Sequence, residues 1–200
     1  MPEWTELFER RLEALLAGLD RAAFLSRFGW VEEYSRRAAE ILSPERLAST
    51  PPEGVYAALD SLTLPGCAVR MTNLGRMNQA EQVVAGVRKL LETPGDFAKK
   101  YRAGKIPQAG IVTLSQILCL ARPDRFAIRN APFTRALAGQ VPFYTPQALD
   151  ELGYEEYLDL CRELTRPLTA RLKGLGLAEW AEARRFLLLY AILTRNNQPG

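Results

Sequence analysis

Residues 105–138 read KIPQAGIVTLSQILCLARPDRFAIRNAPFTRALA. The segment opens on a Pro/Gly turn, Ile106 to Gly110, and passes into an amphipathic helix with Ile111, Leu114, Leu118 and Ala121 inward at helical spacing. A short extended stretch follows through Phe126 and Ile128. A second helix starts at Ala131-Pro132, since proline suits a first helical turn and Asn130 suits the cap before it. Helix, tight turn, helix and extended link set an all-α reading, and the rest of the chain agrees with it.

Upstream, Leu7, Phe8, Leu12, Leu15 and Leu16 share one face of a helix expected over 4–19. A second helix is expected from Val31 to Leu42, and Ser43-Pro44-Glu45 starts another. Pro51-Pro52-Glu53-Gly54 breaks the chain before a helix over 55–62. Residues 63–78, TLPGCAVRMTNLGRMN, lack periodicity and acids and read as a long surface loop. Helices are expected over 79–91 and 97–103. Downstream, Thr145-Pro146 opens a helix. The stretch from Tyr154 to Lys173 carries Tyr157, Cys161, Leu164, Leu168 and Leu172 at helical spacing, with Pro167 expected to kink or divide it. A last helix over 178–194 is expected to bury Trp180, Ala183, Leu187 and Tyr190. The expected fold is an all-α multi-helix bundle in one compact domain. Its parts are an N-terminal helical region (1–62), the loop (63–78), a helical core (79–194) and a linker-like tail (195–200).

Composition narrows the chemistry. Of the 200 residues 48% are hydrophobic, enough for a packed core. The longest apolar run, Phe186 to Leu193, is too short to span a membrane. The N-terminal MPEWTELFERRLEALL lacks a signal-peptide core, so a cytoplasmic location is expected. Cys67, Cys119 and Cys161 show no metal spacing. The chain has no histidine, which excludes Ser-His-Asp and Cys-His catalysis and histidine-based zinc sites. No metal and no cofactor is expected.

The net charge is +3, unevenly spread. Between Phe97 and Leu149 lie Lys99, Lys100, Arg102, Lys105, Arg122, Arg125, Arg129 and Arg135, against one acid, Asp124. Positive charge is therefore concentrated around the turn. The 63–78 loop adds Arg70 and Arg76.

The 105–138 segment resembles the helix-hairpin-helix core of endonuclease-III-type DNA glycosylases, in which an L-P-G-V-G hairpin precedes an F-P-I-L-D-G-N-V-K-R-V stretch. The resemblance implies that backbone N–H groups of Ile106-Pro107-Gln108-Ala109-Gly110, with the following helix's N-terminus, bind a DNA phosphate. Gln108 replaces the first glycine of that pattern. Val112 stands where lyase members carry their lysine, and Asn130 where the general aspartate stands. An amide cannot activate water, so no catalytic residue is expected on this route. The four-cysteine cluster of the iron–sulfur members is also absent. Across roughly 79–194, the phrase TLSQILCLARPDRFAIRN and the Tyr-rich helix after it are similar to regions preceding the AAA+ motor of McrB-type restriction ATPases, whose phrase is L-x-P-D-R-F-P-I-x-N. That resemblance implies a DNA-recognition region, modified DNA included, served by a motor domain or subunit.

The expected nucleic-acid contacts are Lys105, Gln108, Gly110, Arg122, Arg125, Arg129, Asn130 and Arg135, with Arg70, Asn73 and Arg76 from the loop. Each has a plainer reading. Lys105 can be a solvated lysine. Arg125 and Arg129 can lie along the surface or pair with Asp124. Asn130 can simply cap its helix. The expected partner is double-stranded DNA, and no membrane. A protein-assembly module, and an active glycosylase using Asp124 or Asp150, are the alternatives.

Overall fold

The computed structural model describes residues 3–62, 64 and 78–195. Among these there are thirteen helices and no strand, and the fold is all-α. Five helices form the N-terminal part: α1 (Glu3–Leu16), α2 (Arg21–Phe28), α3 (Trp30–Ile41), α4 (Pro44–Ser49) and α5 (Pro52–Asp60). Then come α6 (Ala80–Glu92), α7 (Phe97–Ala103), α8 (Ile111–Ala121), α9 (Ala131–Ala138) and α10 (Pro146–Glu151). The chain closes with α11 (Tyr154–Lys173), α12 (Ala178–Glu182) and α13 (Arg185–Arg195).

Helix α8 is the axis of the molecule. Every residue from Leu114 to Leu120 is buried, with α3, α6 and α13 packed around it. The sequence was read as a one-faced helix, yet its run of Leu, Ile and Cys is apolar on all sides, which is the signature of a central helix. Ser115 and Gln116 are the polar residues within that buried run.

The chain then doubles back beside α8 as an extended segment, Phe126 to Asn130, buried at every residue. With no strand beside it, its peptide groups find side chains. Tyr154 Oη donates to the Ala127 carbonyl (2.6 Å) and Tyr157 Oη to the Ile128 carbonyl (3.0 Å). Arg129 N–H donates to Ser115 Oγ at 3.0 Å. Just upstream, the Pro123 carbonyl accepts from Phe186 N–H (3.0 Å), and the Asp124 carbonyl from Arg185 Nε (2.8 Å).

The turn before α8 is seated by a glycine pair. A Cβ at Gly104 would lie 2.6 Å from Leu90 Cβ, and one at Gly86 would lie 2.3 Å from Ile106 Cγ1. The end of α7 thus presses directly onto α6, with Ile106 filling the space that Gly86 leaves. Lys100 strengthens the same junction. Its buried ammonium donates to the carbonyls of Leu90, Leu91 and Thr93, at the C-terminal end of α6.

Several expected boundaries shift. Helix α2 was not anticipated; Asp20 starts it by accepting from Ala23 N–H (2.7 Å). Pro52 begins α5 as its first residue instead of prolonging the break. Pro167 lies buried inside an undivided α11. The final helix is divided instead, at Ala183-Arg184, and this lets Phe186 reach Pro123. Trp180 is only half-buried and donates to the Glu32 carboxylate at 3.0 Å, while Ala183 is exposed. Trp30 is half-buried against the edge of Tyr34.

Two substitutions test this account. Tyr157→Phe leaves the buried Ile128 carbonyl without its donor and is expected to lower unfolding free energy by about 1–3 kcal/mol in urea denaturation. Gly86→Ala forces Ile106 out of its seat, at a cost of about 1–3 kcal/mol. A Gly86→Ala protein as stable as the parent would refute the close packing of the turn on α6.

Candidate nucleic-acid interface

The turn is built by local chemistry. The Ala109 N–H donates to the Ile106 carbonyl at 3.0 Å, closing a four-residue turn with Pro107 at its second position. Gln108, at the third, has φ +63°. This is a type II arrangement, in which the third residue must take the left-handed region. Proline presets the second position. Glutamine takes the left-handed conformation that glycine adopts at no steric cost, and such strain costs on the order of 1–3 kcal/mol for a residue with a side chain. The turn is held from outside by Asn78, whose Nδ2 donates to the Pro107 carbonyl at 2.9 Å.

Gly110 follows as the N-cap of α8, with φ −81° and no side-chain capping bond. The first N–H groups of an uncapped helix point outward along its axis, carrying the positive end of its dipole. Among the described residues, a Cβ built on Gly110 would meet nothing within 4 Å. Neither the backbone conformation nor packing among the described residues requires glycine here. Lys105, Pro107, Gln108 and Gly110 are all exposed. Beside them opens a cleft of about 530 Å³ lined also by Tyr101 and Leu114. Tyr101 escaped the sequence reading. The residue is 37% exposed, and its ring lies 5.7 Å from that of Phe97, one turn back on α7. The spacing of four between these aromatics, directly before a basic turn, was the available signal.

A second cleft, of about 460 Å³, lies at the same end of α8. Ile111, Val112, Arg129, Asn130, Asp150 and Leu152 line it. Val112 and Asn130, the two positions matched to catalytic groups by resemblance, thus share one cavity. Asn130 is buried and caps α9, its Oδ1 accepting from Phe133 N–H at 2.9 Å. Arg129 is not an exposed cation. It is buried, its guanidinium lies 5.3 Å from the centre of the Tyr157 ring, and it donates to the carbonyls of Leu149 and Asp150. The bonds to α10 make it a brace between the extended segment and that helix, so it is unavailable to a phosphate. Asp150 is exposed and lines this cleft.

The remaining described cations of the expected set do not line the cleft at the turn. Arg122 and Arg125 are exposed, but they follow the C-terminal end of α8. Eleven helical residues separate the two ends by about 16 Å. Asp124 belongs to that far end as well. Arg135 is exposed on α9, about one turn beyond Asn130. Arg70, Asn73 and Arg76 lie outside the described residues, as do the rest of 65–77. Description resumes at Asn78, the residue tied to the turn.

Among the described residues, no group of His, Cys, Asp or Glu could hold a metal ion, and no helix is long and apolar enough to cross a membrane. Cys119 and Cys161 are free, fully buried thiols whose pKa values burial drives far up, which makes them inert as nucleophiles. The chain matches no family model, no curated protein and no solved structure, so its geometry and chemistry alone bear on what it does.

Proposed function

We propose that this chain is a non-catalytic DNA-binding module that grips the phosphate backbone through the 106–110 turn and the N-terminus of α8. The observation that carries the reading is Gly110: an exposed, uncapped helix start where a side chain would have room, yet none is present. Glycine leaves the outward N–H groups open to a phosphate oxygen. Lys105 adds an exposed positive charge beside them, and Tyr101 an exposed ring. Contacts of this kind recognise the duplex backbone and not its sequence. On the resemblance to McrB-type proteins, such a module serves as the recognition region of a restriction system, modified DNA being its target and the motor lying on another domain or subunit.

Gly110→Asp separates binding from folding. Aspartate caps a helix well and favours its dipole, so stability should hold or rise, by up to about 1 kcal/mol. The same carboxylate would occupy and repel the phosphate position. In fluorescence polarisation with a labelled duplex at low salt, the parent protein should bind and Gly110→Asp should lose at least tenfold in affinity. Lys105→Glu should weaken binding and flatten the log–log salt slope by about 1. Absence of binding at low salt, or equal binding by Gly110→Asp, refutes the proposal.

Asp150 favours a second reading, an active glycosylase, because this acidic residue lines the cleft that holds Asn130 and Val112. Abasic-site formation on damaged or mismatched duplex, lost in Asp150→Asn, would establish it. Intact product strands after alkali treatment would leave the non-catalytic module standing.

A further inference from the structure

The end of α8 away from the turn carries a separate feature. Lys100, Arg122 and Arg125 converge on a cleft of about 310 Å³ between α6, α8 and the junction of α3 with α4. Lys100 is accounted for by the structure itself, since the last carbonyls of α6 consume its donors. The two arginines keep their charges unpaired, although the Arg125 guanidinium lies 5.7 Å from the centre of the Phe126 ring. Both side chains are exposed, and among the described residues neither forms an ion pair. Glu92 borders the same cleft without pairing with either. The guanidinium groups are close enough to the buried ammonium to press its pKa below the ordinary lysine value, after burial as the larger cause. Three cations against the one carboxylate of Glu92 leave the cleft with an excess of positive charge, which favours an anion there.

We infer that the Arg122–Arg125 cleft binds a small phosphate monoester. Two planar guanidinium forks can share the three free oxygens of one phosphoryl group, whereas a carboxylate is filled by a single fork. The dianion also answers the excess of cations better than a monoanion does. Beside Ser43 and Glu92, most of the uncharged wall is apolar, with Leu42, Pro44, Leu91 and Leu118, so the ester's body is a compact apolar or aromatic group. The cleft lies at the far end of α8, about 16 Å from the turn, so its ligand is separate from a backbone phosphate held there.

Isothermal titration calorimetry on the full chain, with phenyl phosphate, inorganic phosphate and benzoate as probes, tests the site. Phenyl phosphate should bind saturably and more tightly than either inorganic phosphate or benzoate. Arg122→Gln and Arg125→Gln, both at exposed positions, should each weaken it by about 10- to 100-fold while melting like the parent. Lys105→Gln, at the opposite end of α8, should leave it unchanged. The site is refuted if phenyl phosphate does not saturate, if inorganic phosphate binds as well, or if the arginine variants match the parent. Equal loss in Lys105→Gln would also refute it, because general attraction to a basic protein would then explain the binding. The DNA titration of Gly110→Asp is independent of all these outcomes.

Discussion

An extended stretch of chain buried inside a bundle of helices poses a specific problem: its peptide groups have no neighbouring strand to bond. From Phe126 to Asn130 this protein solves it with side chains drawn from several helices. Tyr154 and Tyr157 of α11 supply phenolic donors, Ser115 of α8 supplies an acceptor, and Asn130 turns its own amide to the start of α9. Unsatisfied buried peptide groups are costly enough that these bonds fix where α8, α9 and α11 sit relative to one another. Burial also drives the pKa of both tyrosines well above that of free tyrosine. The hydroxyls therefore stay protonated, and remain donors, over the whole range in which the protein would be handled. The placement of α8 in turn places both ends of that helix, and with them the exposed turn and the arginine cleft.

Caps and stripes were the legible part of this fold. Ser43, Asn130 and Thr145 were readable as helix starts, and each accepts a bond from the backbone N–H three residues on. The stripe of Tyr157, Cys161, Leu164, Leu168 and Leu172 on α11 is buried throughout. What periodicity could not reveal was a helix buried on every side. In α8 an apolar face exists only relative to a polar one, and from Leu114 to Leu120 the structure has no exposed side. The division of the last helix was equally hidden, because it serves a bond to Pro123, more than sixty residues earlier in the chain.

The candidate site was legible as a segment but not as a surface. Counting charges along 97–149 treated eight cations as one basic patch, whereas folding sorts them by the company they keep. Lys100 and Arg129 disappear into the interior as donors to carbonyl groups. Arg122 and Arg125 are carried to the far end of α8, while Lys105 lines the cleft beside the turn. Sequence separation could not show this, since a helix moves adjacent charges apart while a reversal of the chain brings Asn130 back to Val112. The left-handed conformation of Gln108 was hidden for another reason: the residue type argues against it, and Pro107 before it, the packing of Ile106 beneath it and the Asn78 bond to the Pro107 carbonyl impose it.

The two fully buried thiols give the core a clock. Cys119 is hydrogen-bonded to the Ile128 backbone, and Cys161 lies near enough to Tyr154 and Tyr157 to influence their ionisation. Each therefore sits against the segment or the tyrosines that hold it. A thiol reagent can reach them only when that region opens, so their labelling rate measures how often the extended segment lets go. Ligands that touch nothing but the surface would still register there, as a slowing of sulfur chemistry deep inside the bundle.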